Sequence, residues 1–360
     1  MSKVTFNNKK NIFFTAINTK VEQYFKENKL RKTGNYKLYI KSFVLIPVVC
    51  GIYVALLTLK MPAALAILLC SLLGFSMASI GFNVMHDANH GSYSRRKWVN
   101  QLMGLTANCL GVNAFMWKQK HNIIHHTYTN IDGIDDDIAK MPLLRHCPSQ
   151  KYRPIHRYQY IYCIPLYSLT TILWTFVTDF MKYFNQKIYT TPIRKMVLKE
   201  HIIFWISKTL YIFFYVVLPL YVVGIIPFLI GFTVMQLTKG LTIAMVFQLA
   251  HVVEDTHFVD ANDKKLSIDE EWAIFQVKTT ADFATDNKVL SWFVGGLNFQ
   301  VEHHLFPKVS HIHYPAIKKI VKETCDKFGI RHIDYATMTD AFASHMRFMK
   351  SLSKPDMVIA

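Results

Sequence analysis

The chain has 360 residues, 51% of them hydrophobic, with 41 Lys+Arg against 24 Asp+Glu and a formal charge of +17. The apolar residues gather into runs of about 20, the length that crosses a bilayer, which argues against an ordinary soluble protein of two or three domains. Nucleic acid would suit the charge, but basic loops held on the cytosolic side and facing anionic lipid account for it more simply, so no nucleic-acid partner is expected.

Residues 1–41 carry ten Lys/Arg and two Glu, with no early apolar core of signal-peptide shape. They are expected to form a cytosolic N-terminal segment, with an amphipathic helix around Thr19–Leu30 lying on the membrane surface. Two apolar runs follow, 42–59 and 63–85, separated by Lys60-Met61-Pro62. So short a break predicts a transmembrane hairpin returning to the cytosolic side. His86 and His90 then lie at the cytosolic end of its second helix, and Gly91-Ser92 reads as the stop. The softer stretch Trp98–Trp117 contains Asn100, Gln101, Asn108 and Asn113. Crossing there would place later histidines on the opposite face, so an interfacial or packed helix is expected.

His121, His125 and His126 come next. Residues 127–157 then read as a cytosolic loop in which Asn130–Asp137 carries four Asp, expected as a solvated turn or as partners that orient histidines. The same parity argument keeps Tyr160–Val177 in the interface. Runs 202–223 and 225–248, joined at Gly224, predict a second hairpin, giving four spans. Lys239 sits inside the fourth, where a charge is costly. It is expected to snorkel or pair inside the bundle, with lining of a substrate channel as the alternative. His251 lies just beyond that span. Glu254, Asp255, Asp260 and Asp263–Lys265 predict a polar loop, Glu271–Thr280 has helical spacing, and Pro307 ends the segment Asn298–Phe306. Residues 315–329 and 335–352 predict amphipathic helices under the membrane domain. The expected organisation is 1–41, a membrane and catalytic unit at 42–329, and a cytosolic C-terminal helix at 330–360.

His86/His90 and His121/His125 are i, i+4 pairs, which share one face of a helix. His126 is turned about 100° from His125 and can address a second centre. With His251, His303 and His304 this makes eight of the chain's 16 histidines in four compact places. Eight imidazoles exceed one mononuclear site and suit two metals a few ångströms apart. Imidazole accepts iron, zinc and copper. Oxidation of an unactivated C–H bond needs a metal that cleaves dioxygen, which favours iron. A zinc peptidase would carry His-Glu-x-x-His, and no such run occurs. Haem would want histidines mid-membrane on facing helices.

The runs His86-x-x-x-His90, His121-x-x-x-His125-His126 and Gln300-x-x-His303-His304, in the words His-Asp-Ala-Asn-His-Gly-Ser, His-His-Thr-Tyr-Thr-Asn and Phe-Gln-Val-Glu-His-His-Leu-Phe-Pro, resemble the three histidine boxes of membrane fatty acid desaturases. The resemblance spans residues 43 to about 315. It implies an all-α integral membrane fold of four transmembrane helices in two hairpins, with interfacial helices and a cytosolic helical cap holding a diiron site beside an acyl-chain tunnel. It assigns His86, His90, His121, His125, His126, His251, His303 and His304 as ligands of two iron ions. Gln300, where many desaturases have histidine, is typical of front-end (linoleoyl-CoA-like) and sphingolipid desaturases, occurs also in bacterial acyl-CoA desaturases, and is a further candidate ligand. The implied reaction introduces a cis double bond into a fatty acyl chain, carried on coenzyme A or a lipid, using dioxygen and two electrons. The chain has no His-Pro-Gly-Gly haem motif, so a separate ferredoxin or cytochrome is the expected donor. The expected location is multi-pass in the membrane, the inner (plasma) membrane in a bacterium, with the site and both termini cytosolic. Arg95, Arg96, Lys97 or Arg153 could meet a coenzyme A or lipid phosphate. Asp87, Asn89, Asn298 and Glu302 could orient imidazoles, whereas His311 and His313 are not expected as ligands. A hydroxylase on similar boxes is the alternative enzyme, and a metal transporter or sensor the alternative outside catalysis.

Overall fold

A computed structural model describes residues 4–139, 142–261 and 266–355. The expected polar turn Asp263–Lys265 lies outside the described residues. The chain is mostly helical: α1 (Ile12–Glu27), α2 (Tyr36–Thr58), α3 (Ala63–His90), α4 (Lys97–Gly104), α5 (114–128), α6 (Pro154–Ser168), α7 (Thr170–Asn185), α8 (Leu198–Val223), α9 (Ile225–His251), α10 (Trp272–Lys278), α11 (Lys288–Phe293), α12 (Gln300–Leu305), α13 (Tyr314–Phe328) and α14 (Met338–Ser351).

Helices α2, α3, α8 and α9 are long and apolar enough to cross a membrane. Phe43 on α2 and Tyr221 on α8 are 80% and 87% exposed, and both helices present many more bare apolar side chains, a surface suited to hydrocarbon rather than water. Gly224, at φ 81°, makes the break between α8 and α9 in a conformation that costs glycine little. α3 packs on α9, and their closest approach is at Gly74, where a Cβ would stand 2.3 Å from the Met235 carbonyl oxygen. α6 packs on another side of α9, with Gly240 against the Ser168 carbonyl.

Several boundaries differ from expectation. α2 begins at Tyr36, because Asn35 caps it by accepting from the Lys37 amide, so Lys41 falls inside the helix. α3 and α9 continue without a break into their histidines. Trp98–Trp117 is not one helix; α4, a single turn at Thr106–Cys109 and the start of α5 divide it. Tyr160–Val177 is split between α6 and α7, which bend by 58° at Leu169.

α1 starts at Ile12 rather than Thr19, and its apolar face is not free for a membrane surface. Phe13, Ile17, Val21 and Phe25 are buried with Val277, Leu305, Ile317 and Val321 from α10, α12 and α13. The N-terminal strand Val4–Phe6 pairs in parallel with Leu266–Ile268. Short parallel pairings also join Ile131–Asp132 to Val259–Asp260 and Asp282–Phe283 to Asp334–Tyr335. These tie the polar segments into one layer at the end of the bundle where α3 and α9 deliver their histidines.

Candidate metal centre

Each histidine run is placed by an element that ends or widens there. α3 passes into a π-helical turn at Gly81–His86, and α5 does the same at Gln119–His125. A π turn inserts a residue into the helical repeat and re-aims the side chains that follow, a feature frequent at functional sites. Gly91, at φ 77°, closes α3 one residue after His90. His251 is the last residue of α9, and α12 is the short helix that carries His303 and His304.

All eight predicted histidines converge. Nitrogens of His86, His90, His121 and His303 lie within 4.8 Å of one another, as do those of His125, His251 and His304, and those of His126, His303 and His304. The rings of His90, His121, His303 and His304 all pack against His126, with centroids 4.4–4.8 Å away. His126 therefore stands between the two larger groups.

The outer nitrogens are fixed by partners. Nδ1 of His125 lies 3.1 Å from Asp135 Oδ2, Nδ1 of His304 2.8 Å from Gln276 Oε1, Nδ1 of His303 3.1 Å from the Tyr314 hydroxyl, and Nδ1 of His251 3.3 Å from the Thr279 carbonyl. Nε2 of His90, His125, His303 and His304 is buried without a hydrogen-bond partner among the described residues. A proton on Nδ1 leaves the Nε2 lone pair pointing inward, the tautomer a metal takes.

Elsewhere ring nitrogens face each other: His121 Nε2 is 3.2 Å from both His86 Nε2 and His126 Nε2. Ligand nitrogens about 2.0–2.1 Å from a tetrahedral metal are roughly 3.4 Å apart, so this spacing is the one a shared cation produces. Burial, reinforced by the neighbouring imidazoles, holds His121, His126, His303 and His304 well below the usual histidine range, so they are neutral and able to ligate. At His125 burial also disfavours the charge, but Asp135 and Asp137 outweigh it and raise the pKa. The residues present thus fit a nitrogen-ligated metal centre.

Gln300 Nε2 lies 2.8 Å from His251 Nε2, which brings its amide to the edge of the His125/His251/His304 group. The acidic cluster is not a solvated turn. Asp135 is buried on His125, and Asp136 and Asp137 pair with Lys120, Asp136 also with Lys182. Asp87 accepts from Ser310 and lies 3.1 Å from His311 Nδ1, while His311 Nε2 faces Lys41 Nζ at 3.0 Å. His311 thus works from behind, and His313 contacts the Thr33 carbonyl instead. Asn89 and Asn298 bond backbone and serine groups, not imidazoles. Glu302 faces away, toward Asp282 and His332. Gln276, Tyr314 and Thr279, with Thr129 whose hydroxyl lies 3.2 Å from His304 Nδ1, carry no local sequence pattern that marks them.

Lys239 pairs inside the bundle, donating to the Leu110 carbonyl and the Tyr211 hydroxyl. Arg95 and Arg96 line an open cleft with Arg31, Ser94 and Tyr39. Lys97 and Arg153 are exposed.

The chain belongs to the fatty acid desaturase family, whose model matches residues 62–336. It is 37% identical to the sn-1 linoleoyl-lipid 6-desaturase of Arthrospira platensis, over 98% of this chain and 95% of that one. It is 35% identical to the sn-1 linoleoyl-lipid 6-desaturase of Synechocystis, over 98% of both chains, and 35% identical to an acyl-lipid (8-3)-desaturase of Physcomitrium patens, over 94% of this chain and 71% of that one. The protein is accordingly a fatty acid desaturase, an oxygen-dependent oxidoreductase of lipid metabolism. Desaturases of this family use iron, for which these histidine groups are suited.

Proposed function

We propose that His86, His90, His121 and His303 hold one iron ion and His125, His251 and His304 a second, with His126 between them and the Gln300 amide beside the second. The observation that carries this reading is the convergence of eight imidazoles from four segments, with the buried Nε2 atoms of His90, His125, His303 and His304 left without a hydrogen-bond partner among the described residues. When bound, the iron pair supplies dioxygen activation and the removal of two hydrogens from adjacent carbons, leaving a cis double bond and water.

The protein's own part is positional. Asp135, Gln276, Tyr314 and the Thr279 carbonyl hold the imidazole planes and keep Nδ1 protonated. α3 and α9 hold the acyl chain along their apolar faces and place one C–C bond beneath the histidines, away from water. The chain is carried on a membrane lipid, in keeping with the lipid-linked substrates in the relatives' names. Its phosphate lies toward Arg95 and Arg96. α2/α3 and α8/α9 form two transmembrane hairpins, with α6 and α7 bent in the interface. Residues 42–329 form the membrane and catalytic unit, capped on the cytosolic side by the histidine-bearing layer. The flanks 1–41 and 330–360 are cytosolic, and in a bacterium the membrane is the plasma membrane. Electrons come from a separate ferredoxin or cytochrome.

Gas chromatography of lipids from a host expressing the chain tests this. A new cis-unsaturated fatty acid is expected, absent with His125→Ala, which also loses iron. A new hydroxyl group without a double bond, or full activity in His125→Ala, would overturn it.

A further inference from the structure

Behind the third histidine run, on the side away from the eight imidazoles, three more ligand-type side chains meet. Asp282 lies in the short strand Asp282–Phe283, whose partner strand begins at Asp334. The Asp282 amide donates to the Ile333 carbonyl, which brings His332 alongside. Glu302 comes from α12, one residue before His303. The side chains of Asp282 and Glu302 are fully buried, and that of His332 is 2% exposed. Among the described residues, Asp282 Oδ2, both oxygens of Glu302 and both ring nitrogens of His332 have no hydrogen-bond partner.

Buried carboxylates are paired, protonated or bound to metal, because an isolated charge is costly to bury. Lys318 does not answer these two. Its ammonium is 3.8 Å from Asp282 Oδ2 but 2.6 Å from Asp334 Oδ2, and it also donates to Thr285. With Lys318 drawn to Asp334, donor atoms of Asp282, Glu302 and His332 converge within 4.8 Å of one another. His332 Nε2 is 3.5 Å from Asp282 Oδ2 and 3.5 Å from Glu302 Oε1, and neither contact has hydrogen-bond geometry. Ligand atoms about 2.0–2.1 Å from a tetrahedral zinc ion stand roughly 3.4 Å apart.

We infer that Asp282, Glu302 and His332 form a separate divalent-cation site, a zinc site by its mixed nitrogen and oxygen donors and its spacing. It is structural rather than redox-active. The ion ties the three donor side chains together and fastens the segment after α13 to α12, so that His303 and His304 are held from behind. Asp282 already reaches α12 directly, since its Oδ1 accepts from the Val301 amide.

The test is the metal content of full-length protein purified in detergent after growth with iron and zinc, by inductively coupled plasma mass spectrometry. About one zinc ion per chain is expected in the wild type, lost in His332→Gln and in Asp282→Asn while iron is retained. His125→Ala should lose iron and keep zinc. Wild-type protein without zinc, or His332→Gln with undiminished zinc, overturns the proposal and leaves the desaturase centre untouched. Loss of iron alone from His125→Ala bears on that centre and not on this one. If His332→Gln does not fold, X-ray absorption at the zinc edge of the wild type decides. One imidazole with oxygen donors supports the site, and a shell of three or more imidazoles overturns it.

Discussion

His125 Nδ1 lies 3.1 Å from Asp135 Oδ2, and both side chains are out of solvent. The carboxylate also accepts from the Asn130 amide, so it is fixed before it orients the ring. Removing its charge leaves the imidazole free to turn and less basic. Asp135→Asn should lower iron affinity and turnover by about 10–100-fold, the range seen when a partner behind a metal-bound histidine is lost. Iron content against turnover checks this; unchanged values for both would show that the ring needs no such support.

A second buried pair lies on the flank of the bundle. Lys208 Nζ is 2.8 Å from Asp179 Oδ2 and also donates to the carbonyls of Gly111 and Thr175. Asp179 accepts in addition from the Asn113 amide. Lys208→Met should destabilise the protein by about 3–5 kcal/mol, because it strands a buried carboxylate. The double variant Lys208→Met/Asp179→Leu should recover part of that loss. Thermal melts in detergent compare the two, and a double variant no more stable than the single one would contradict the pairing.

The cap of α1 comes from far along the chain. The Phe13 and Phe14 amides each donate to one oxygen of Glu271, both at 3.1 Å. Asn11, next to the helix start, makes no side-chain cap and sits at φ 46°. A carboxylate at a helix N-terminus satisfies free amides and favours the dipole, so Glu271→Ala should cost about 1–2 kcal/mol. Protease sensitivity of residues 4–27 should rise with it, and identical digestion of variant and wild type would speak against the capping role.

Acid should weaken the fold through His345. Burial pushes its pKa down to about 4, opposed by a contact with the Val252 carbonyl. The folded value lies below the unfolded one, so protonation favours the unfolded chain. Its contribution is constant above about pH 6.5 and declines as pH falls from there toward 4, by up to about 3 kcal/mol. Melting midpoints measured across that window should fall more steeply for the wild type than for His345→Gln. Parallel curves would exclude His345 as a source of the acid sensitivity.

The spans and the histidines were readable because both are written in local spacing. Apolar runs of bilayer length gave α2, α3, α8 and α9, and i, i+4 pairs gave His86/His90 and His121/His125. Polar partners far apart in sequence leave no such trace. By local spacing Lys41 belongs to the polar segment before the first apolar run, yet it lies within α2, donates to Asn83 and faces His311, 270 residues away. The early start of α1 was hidden for the same reason, since its cap is Glu271. α6 and α7 both pack against α9 and bend by 58° at Leu169, a break that the apolar run Tyr160–Val177 does not mark.

The parallel pairing of Val4–Phe6 with Leu266–Ile268 sets an order on biosynthesis. Val4–Phe6 leave the ribosome long before Leu266–Ile268 and find their partner strand only after all four apolar helices have been synthesised. Until then the face of α1 carrying Phe13, Ile17, Val21 and Phe25 stays uncovered, a sticky surface waiting on distant chain. Nascent polypeptides stalled before residue 266 should therefore recruit chaperones at α1, and an affinity tag placed beside α1 should be accessible in such stalled chains.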